Sequence, residues 1–102
     1  MISVVIPTYN EEKNIVRCLK ALNNQTISRD KIEIIVVDGN SRDRTREYAS
    51  GLADRVILQR SEGIGGARND GFKAARYGIV ATTDADCEPH EKWVESILQK
   101  FE

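Results

Sequence analysis

Apolar residues along the chain gather into short continuous runs, and the stretches between those runs carry apolar residues at helical spacing. Ile2 to Ile6 is β-branched and nearly all apolar, which predicts a strand buried on both faces and stopped by Pro7. After the turn Pro7-Thr8-Tyr9-Asn10, the residues Ile15, Cys18, Leu19 and Leu22 fall on one helix face, with Asn10, Glu11 and Glu12 at the end where they favour a helix start. Ile32 to Val37 predicts a second strand with Asp38-Gly39-Asn40-Ser41 as its exit loop. Ser41 is a candidate cap for a helix from about Asp43 to Leu52. Val56 to Leu58 is a short third strand. Gly63, Gly65 and Gly66 form a loop leading into a helical stretch around Ala67 to Arg76, and Gly78 to Thr83 is a fourth strand. From Glu91 onward a final helix places Trp93, Ile97, Leu98 and Phe101 on one face.

Strands alternating with helices of about ten residues imply right-handed crossovers, hence a Rossmann-like three-layer α/β/α domain whose mostly parallel sheet has about four strands. A single domain over residues 1–102 fits the chain length. Nothing in the sequence pairs with the far side of the fourth strand, so another copy of the chain or a partner chain is expected to cover that open edge.

Charge changes the picture by exclusion. Fifteen basic and sixteen acidic residues, spread along the whole chain, give a net charge of −1 and no electrostatic reason to expect nonspecific nucleic-acid binding. The two cysteines, Cys18 and Cys87, lack the spacing of a zinc site, and there is one histidine. Two free thiols fit a reducing cytoplasm, and no run approaches the roughly 20 apolar residues of a membrane span.

Candidate chemistry sits where predicted strands end. Asp84-Ala85-Asp86 closes the fourth strand, at the sheet edge where open α/β folds bind ligands. Two carboxylates converging there repel unless a cation such as Mg²⁺ or Mn²⁺ bridges them to a phosphorylated ligand; two solvated loop acids are the plainer alternative. Asp38 ends the second strand and is placed either to accept a hydrogen bond from a base or ribose or simply to form the turn before Gly39. Tyr9 offers a ring for stacking on a base, or is an ordinary half-buried tyrosine. The stretch Gly63-Ile64-Gly65-Gly66-Ala67-Arg68 departs from the dinucleotide fingerprint, because Arg68 replaces its third glycine and the stretch follows the third strand. It remains a helix start with one guanidinium, suited to phosphate or merely to the surface.

The motifs Val4-Val5-Ile6-Pro7-Thr8-Tyr9-Asn10-Glu11, Ile35-Val36-Val37-Asp38-Gly39-Asn40-Ser41 with Asp43 and Thr45, Gly66-Ala67-Arg68-Asn69 with Gly71, and Thr83-Asp84-Ala85-Asp86 with Pro89 occur in one order over nearly the whole chain. In that order the chain resembles the amino-terminal, nucleotide-sugar-binding half of a family 2 glycosyltransferase of GT-A fold. The resemblance implies that Pro7, Tyr9 and Asn10 line a base pocket beside Glu11, that Asp38 bonds the base, and that Arg68 lies near the base or diphosphate. It implies further that Asp84 and Ala85 belong to the donor site and that Asp86, with Asp84, holds Mg²⁺ or Mn²⁺ as a DXD motif. The expected ligand is a UDP- or GDP-linked sugar, and the expected reaction is inverting transfer to an acceptor hydroxyl.

Family members normally continue well beyond this point and supply the acceptor side and a catalytic Asp or Glu. Glu88, Glu91 and Glu95 do not match that base and are expected on solvated surface, so no catalytic residue is assigned. The competing reading is a non-catalytic sugar-nucleotide module, or a truncated remnant that folds as an oligomer, favoured by the missing base. A nucleotidyltransferase-like enzyme would place its glycine-rich loop after the first strand, where this chain has Pro-Thr-Tyr-Asn.

Overall fold

The computed structural model describes residues 1–101. Strands β1 (Ile2–Thr8), β2 (Ile32–Asp38), β3 (Arg55–Leu58) and β4 (Ile79–Thr82) form one sheet in the order β3-β2-β1-β4, every neighbouring pair parallel. Helices α1 (Ile15–Asn23), α2 (Thr45–Ser50), α3 (Gly63–Ala74) and α4 (Trp93–Gln99) alternate with them, and a 3-10 turn at Arg29–Lys31 precedes β2. The expected parallel α/β architecture is borne out.

Period-two alternation explains the layers. Ile2, Val4 and Ile6 with Ile32, Ile34 and Val36 form one core with Ile15, Cys18, Leu19 and Leu22 of α1, Ala49 of α2 and Val94 of α4. Val5, Ile35 and Val37 point to the other face and meet Ala67 of α3. Both faces of β1 and β2 are therefore covered, which is why their sequences are mostly apolar instead of alternating. The chain steps from β1 to β3 with α1 and α2 on one face, then returns past both central strands to β4 with α3 on the other. One polar residue interrupts β2: Glu33, 6% exposed, accepts hydrogen bonds from Ser3 Oγ (2.7 Å) and Arg76 N (2.9 Å), with the guanidinium groups of Arg55 and Arg76 at 3.7 and 3.6 Å.

Several expected boundaries move, each for a local reason. Pro7 does not stop β1. The pairing with β4 ends at Val5, so beyond that point no neighbour on that side asks Pro7 for an N–H, and the strand continues beside β2 to Thr8. The three glycines expected in a loop lie within the first turn of α3. Ser41 does not cap α2: that helix begins at Thr45, and the Ser41 hydroxyl donates to Asp38 instead. Phe101 does not join the buried face of the last helix. Helix α4 ends at Gln99, leaving Phe101 66% exposed, and the buried position on that helix is Val94.

Among the described residues, no helix is long and apolar enough to cross a membrane.

Candidate functional site

Beyond the carboxyl ends of the strands lies a cleft of about 530 Å³. Pro7, Thr8, Tyr9 and Glu11 line it from the β1 side, Gln59, Gly63, Ile64, Ala67 and Arg68 from β3 and α3, and Asp84, Ala85 and Asp86 from the turn after β4. Gly39, after β2, completes it. Seven of the residues singled out in the sequence thus share one cavity: Pro7, Tyr9, Glu11, Arg68, Asp84, Ala85 and Asp86. Asn10 and Asp38 do not line it.

Asp38 is fully buried, and its carboxylate is already engaged. Oδ1 accepts from Thr8 Oγ1 (3.0 Å) and Ser41 Oγ (2.6 Å), Oδ2 accepts from Ser41 N (2.8 Å), and Arg46 Nε lies 3.6 Å from Oδ2. Asn10 adopts a left-handed conformation, φ 52°, which asparagine tolerates better than most residues. Its side-chain oxygen accepts from Arg42 N (2.9 Å), while its own N–H donates to Ser41 Oγ (2.8 Å). Both residues are engaged between the two loops, Asp38 buried and Asn10 exposed.

They belong to a stitched seam between the loop after β1 and the loop after β2. Glu11 N donates to Thr45 Oγ1 (2.8 Å), Glu12 N to Asp43 Oδ2 (3.2 Å), and Arg44 N back to Glu12 Oε2 (3.1 Å). Thr45 N and its hydroxyl donate to Asp43 Oδ1. Partial burial raises the Asp43 carboxyl's proton affinity, but the Thr45 hydroxyl, the Thr45 amide and the Glu12 amide outweigh it and hold the group below its ordinary value. Ser41 and Thr45, both buried, each accept from the first loop while donating within the second. The first loop, which carries Tyr9 and Glu11, is fixed by this pairing.

The turn after β4 is pinned from below. Ala85 is 3% exposed and packs in the core, Cys87 N donates to the Asp84 carbonyl (3.0 Å), and the Cys18 thiol reaches the same carbonyl at 3.6 Å. Burial pushes the Cys18 thiol up to about 12, with the charges of Cys87, Asp86 and Asp84 adding to the effect, so it stays neutral at pH 7. Above the pin, Asp84, Asp86 and Cys87 are exposed, and their ligand atoms lie within 4.8 Å of one another. Two carboxylates in an open position suit a hard divalent cation. Across the cleft, Arg68 Nη2 stands 3.4 Å from Asp84 Oδ1, and Arg68 Nε is buried without a hydrogen-bond partner. Tyr9, 56% exposed, leaves its ring free for a planar ligand.

Glu88 and Glu91 are exposed, and Glu95 is half-buried with Oε1 accepting from Thr26 Oγ1 (3.1 Å). Gln59 was not singled out in the sequence, and Ile64 was named only as a member of the glycine stretch. Gln59 directly follows β3, so the strand-end rule that selected Asp38 and Asp84 applies to it equally. Ile64 is an apolar side chain 66% exposed in the first turn of α3.

The family model for glycosyl transferase family 2 matches residues 3–102. Glycosyltransferase AglE of Haloferax volcanii is 39% identical over 100 residues, covering 92% of this chain and 33% of that protein. Among solved structures, mannosyltransferase PcManGT of Pyrobaculum calidifontis, in complex with GDP-Man and Mn²⁺, superposes with a TM-score of 0.76 at 35% identity, over 89% of this chain and 29% of that one. Glucosyl-3-phosphoglycerate synthase of Mycobacterium tuberculosis, in complex with Mn²⁺, UDP and glucosyl-3-phosphoglycerate, superposes with a TM-score of 0.84 at 27% identity, over 99% and 39%. The chain spans about a third of the length of AglE and less of other curated relatives. With its parallel sheet matching GT-A glycosyltransferases and the family model covering nearly every residue, the chain belongs to glycosyl transferase family 2.

Proposed function

We propose that this domain binds a nucleotide-diphosphate sugar, UDP- or GDP-linked, through Mg²⁺ or Mn²⁺, and presents it for inverting transfer to an acceptor hydroxyl. The observation that carries the reading is the meeting, in one cleft, of an arginine with an unpartnered Nε–H and a turn with two exposed carboxylates. A diphosphate needs both: charge-assisted donors for its oxygens and a cation that carboxylates can hold. The relatives solved with GDP-Man or UDP and Mn²⁺ support the ligand class.

In this reading Tyr9 stacks on the base, Pro7 and Glu11 shape its pocket, and Asp38 and Asn10 order the loops behind it. Arg68 donates to the diphosphate, and Asp84 and Asp86 hold the cation. When bound, the cation stabilises the negative charge that develops on the departing nucleoside diphosphate. The two thiols without a disulfide fit the reducing cytoplasm proposed for the domain. The proposal extends to the outer edge of β4, which a second copy or a partner chain covers.

Calorimetric titration with UDP and with GDP, with and without Mn²⁺, tests the donor site. Binding is expected with Mn²⁺ and one of the nucleotides, and Asp86→Ala is expected to weaken it at least tenfold, the lower end of what losing even an outer-shell partner costs a metal site. No binding to either nucleotide under either condition overturns the reading.

A further inference from the structure

We propose that Cys87 is a third protein donor at the cation site, giving it a mixed carboxylate and thiolate set that favours softer divalent ions such as Co²⁺ and Cd²⁺ over Mg²⁺. Its role rests on the donor site proposed above. Cys87 is exposed and unpaired, and its Sγ lies 3.9 Å from Asp86 Oδ1, on the side of the turn where the two carboxylates stand. The turn is a fixed presentation of those three side chains: buried Ala85 anchors it in the core, and Cys87 N and the Cys18 thiol both converge on the Asp84 carbonyl.

Asp84 Oδ1 already faces Arg68 at 3.4 Å. That engagement leaves Asp84 Oδ2, the Asp86 oxygens and Cys87 Sγ to meet a cation. Oxygen donors alone suit Mg²⁺ and Mn²⁺ and discriminate weakly between them, whereas a sulfur donor adds affinity for soft and borderline ions and little for Mg²⁺. Coordination replaces the S–H bond by a sulfur–metal bond, and the proton goes to solvent.

The test is titration of the full chain with CdCl₂ and, separately, CoCl₂, reading thiolate-to-metal charge-transfer absorption in the absence of nucleotide. The native chain is expected to give the band with one metal ion per chain. Cys87→Ser, which leaves Cys18 in place, is expected to lose it, and Asp86→Asn is expected to shift the Cd²⁺ titration by tenfold or more. Competition with Mg²⁺ is expected to show the Cd²⁺ preference falling by at least the same factor in Cys87→Ser. Both substitutions lie on an exposed turn, and circular dichroism checks that the fold is kept. A band that survives in Cys87→Ser, a band unmoved by Asp86→Asn, or bound Cd²⁺ without a band each overturns the proposal. UDP titrations with Mn²⁺ separate the two readings: nucleotide binding without the sulfur band leaves the donor site standing and removes Cys87 from it. A sulfur band without nucleotide binding under any cation does the reverse.

Discussion

Single carboxylates decide how firmly the cleft is held, and Asp70 is the one whose work is easiest to isolate. It sits on α3 and accepts from Arg60 N (2.7 Å), Ser61 N (2.9 Å) and Ser61 Oγ (2.8 Å), which ties down the loop that begins at Gln59. The Ser61 and Arg60 amides and the Ser61 hydroxyl favour the charged carboxylate and hold it below its ordinary 3.8. A depressed folded value means the stabilisation is present above pH 3.8 and lost as pH falls below 3.8 through the folded value. Asp70→Ala is therefore expected to lower the urea midpoint at pH 7, with the gap to the native chain narrowing below pH 3.8. Because Gln59 of the cleft wall donates to the Ser61 and Gly63 carbonyls of this loop, nucleotide affinity is expected to fall roughly fivefold, about what one net hydrogen bond is worth. Unchanged affinity in calorimetry sinks the link between loop and site. Asp70 could not be found in the sequence, because its partners lie nine and ten positions upstream, across a turn with no spacing rule. Asp38 shows a mixed case: its place at a strand end was legible and two of its bonds come from Ser41 three residues on, but the third comes from Thr8, a neighbour supplied only by strand pairing.

At the scale of elements, α3 explains why one helix start was misplaced. Glycine is a poor helix former, so Gly63, Gly65 and Gly66 read as loop. The structure shows why small residues are nevertheless needed here. A Cβ on Gly66 would lie 2.6 Å from the Ser61 carbonyl carbon, and one on Gly71 would lie 2.2 Å from Val5 Cγ1. Val5 is fully buried, β-branched and held in the central strand, so it cannot swing away. Gly71→Ala gains about 1 kcal/mol of helix propensity and meets overpacking of about 1 to 3 kcal/mol, for a net loss on the order of 1 kcal/mol. Gly51 supplies the contrast, since a Cβ there meets nothing within 4 Å and its φ is −83°. Gly51→Ala is expected to be neutral or to stabilise by about 0.4 to 1 kcal/mol through the unfolded chain. Urea unfolding should lower the midpoint of Gly71→Ala and leave that of Gly51→Ala unchanged or raised; equal shifts would mean the approach of α3 to β1 is not the cause. By contrast, the buried face of α1 was legible in full, because Ile15, Cys18, Leu19 and Leu22 carry an apolar stripe at helical spacing and all four are buried.

For the whole molecule, strand and helix alternation was enough to reach a parallel sheet, because right-handed crossovers leave few other ways to cover two apolar strand faces. It did not by itself fix the strand order, although an open edge was expected on the fourth strand. Among the described residues the order β3-β2-β1-β4 puts β4 at an edge, and Ile79-Val80-Ala81-Thr82 carries no charge or proline to discourage another strand from adding there. Its apolar side chains already pack inward, Ile79 and Ala81 on one core and Val80 on the other, so what the edge offers is backbone. Two copies related by a twofold axis would pair β4 with β4 antiparallel and stop at a dimer, whereas β4 adding to β3 of another copy would not close. On the proposed self-pairing, sedimentation velocity at tens of micromolar is expected to show a two-chain species that dissociates on dilution. Gly78, exposed and just before β4, has room for a side chain, and Gly78→Lys would set a charge beside the paired edge. That variant is expected to sediment as a single chain at concentrations where the native chain is dimeric. A native chain that sediments as one chain throughout removes self-pairing and leaves the edge to a different partner.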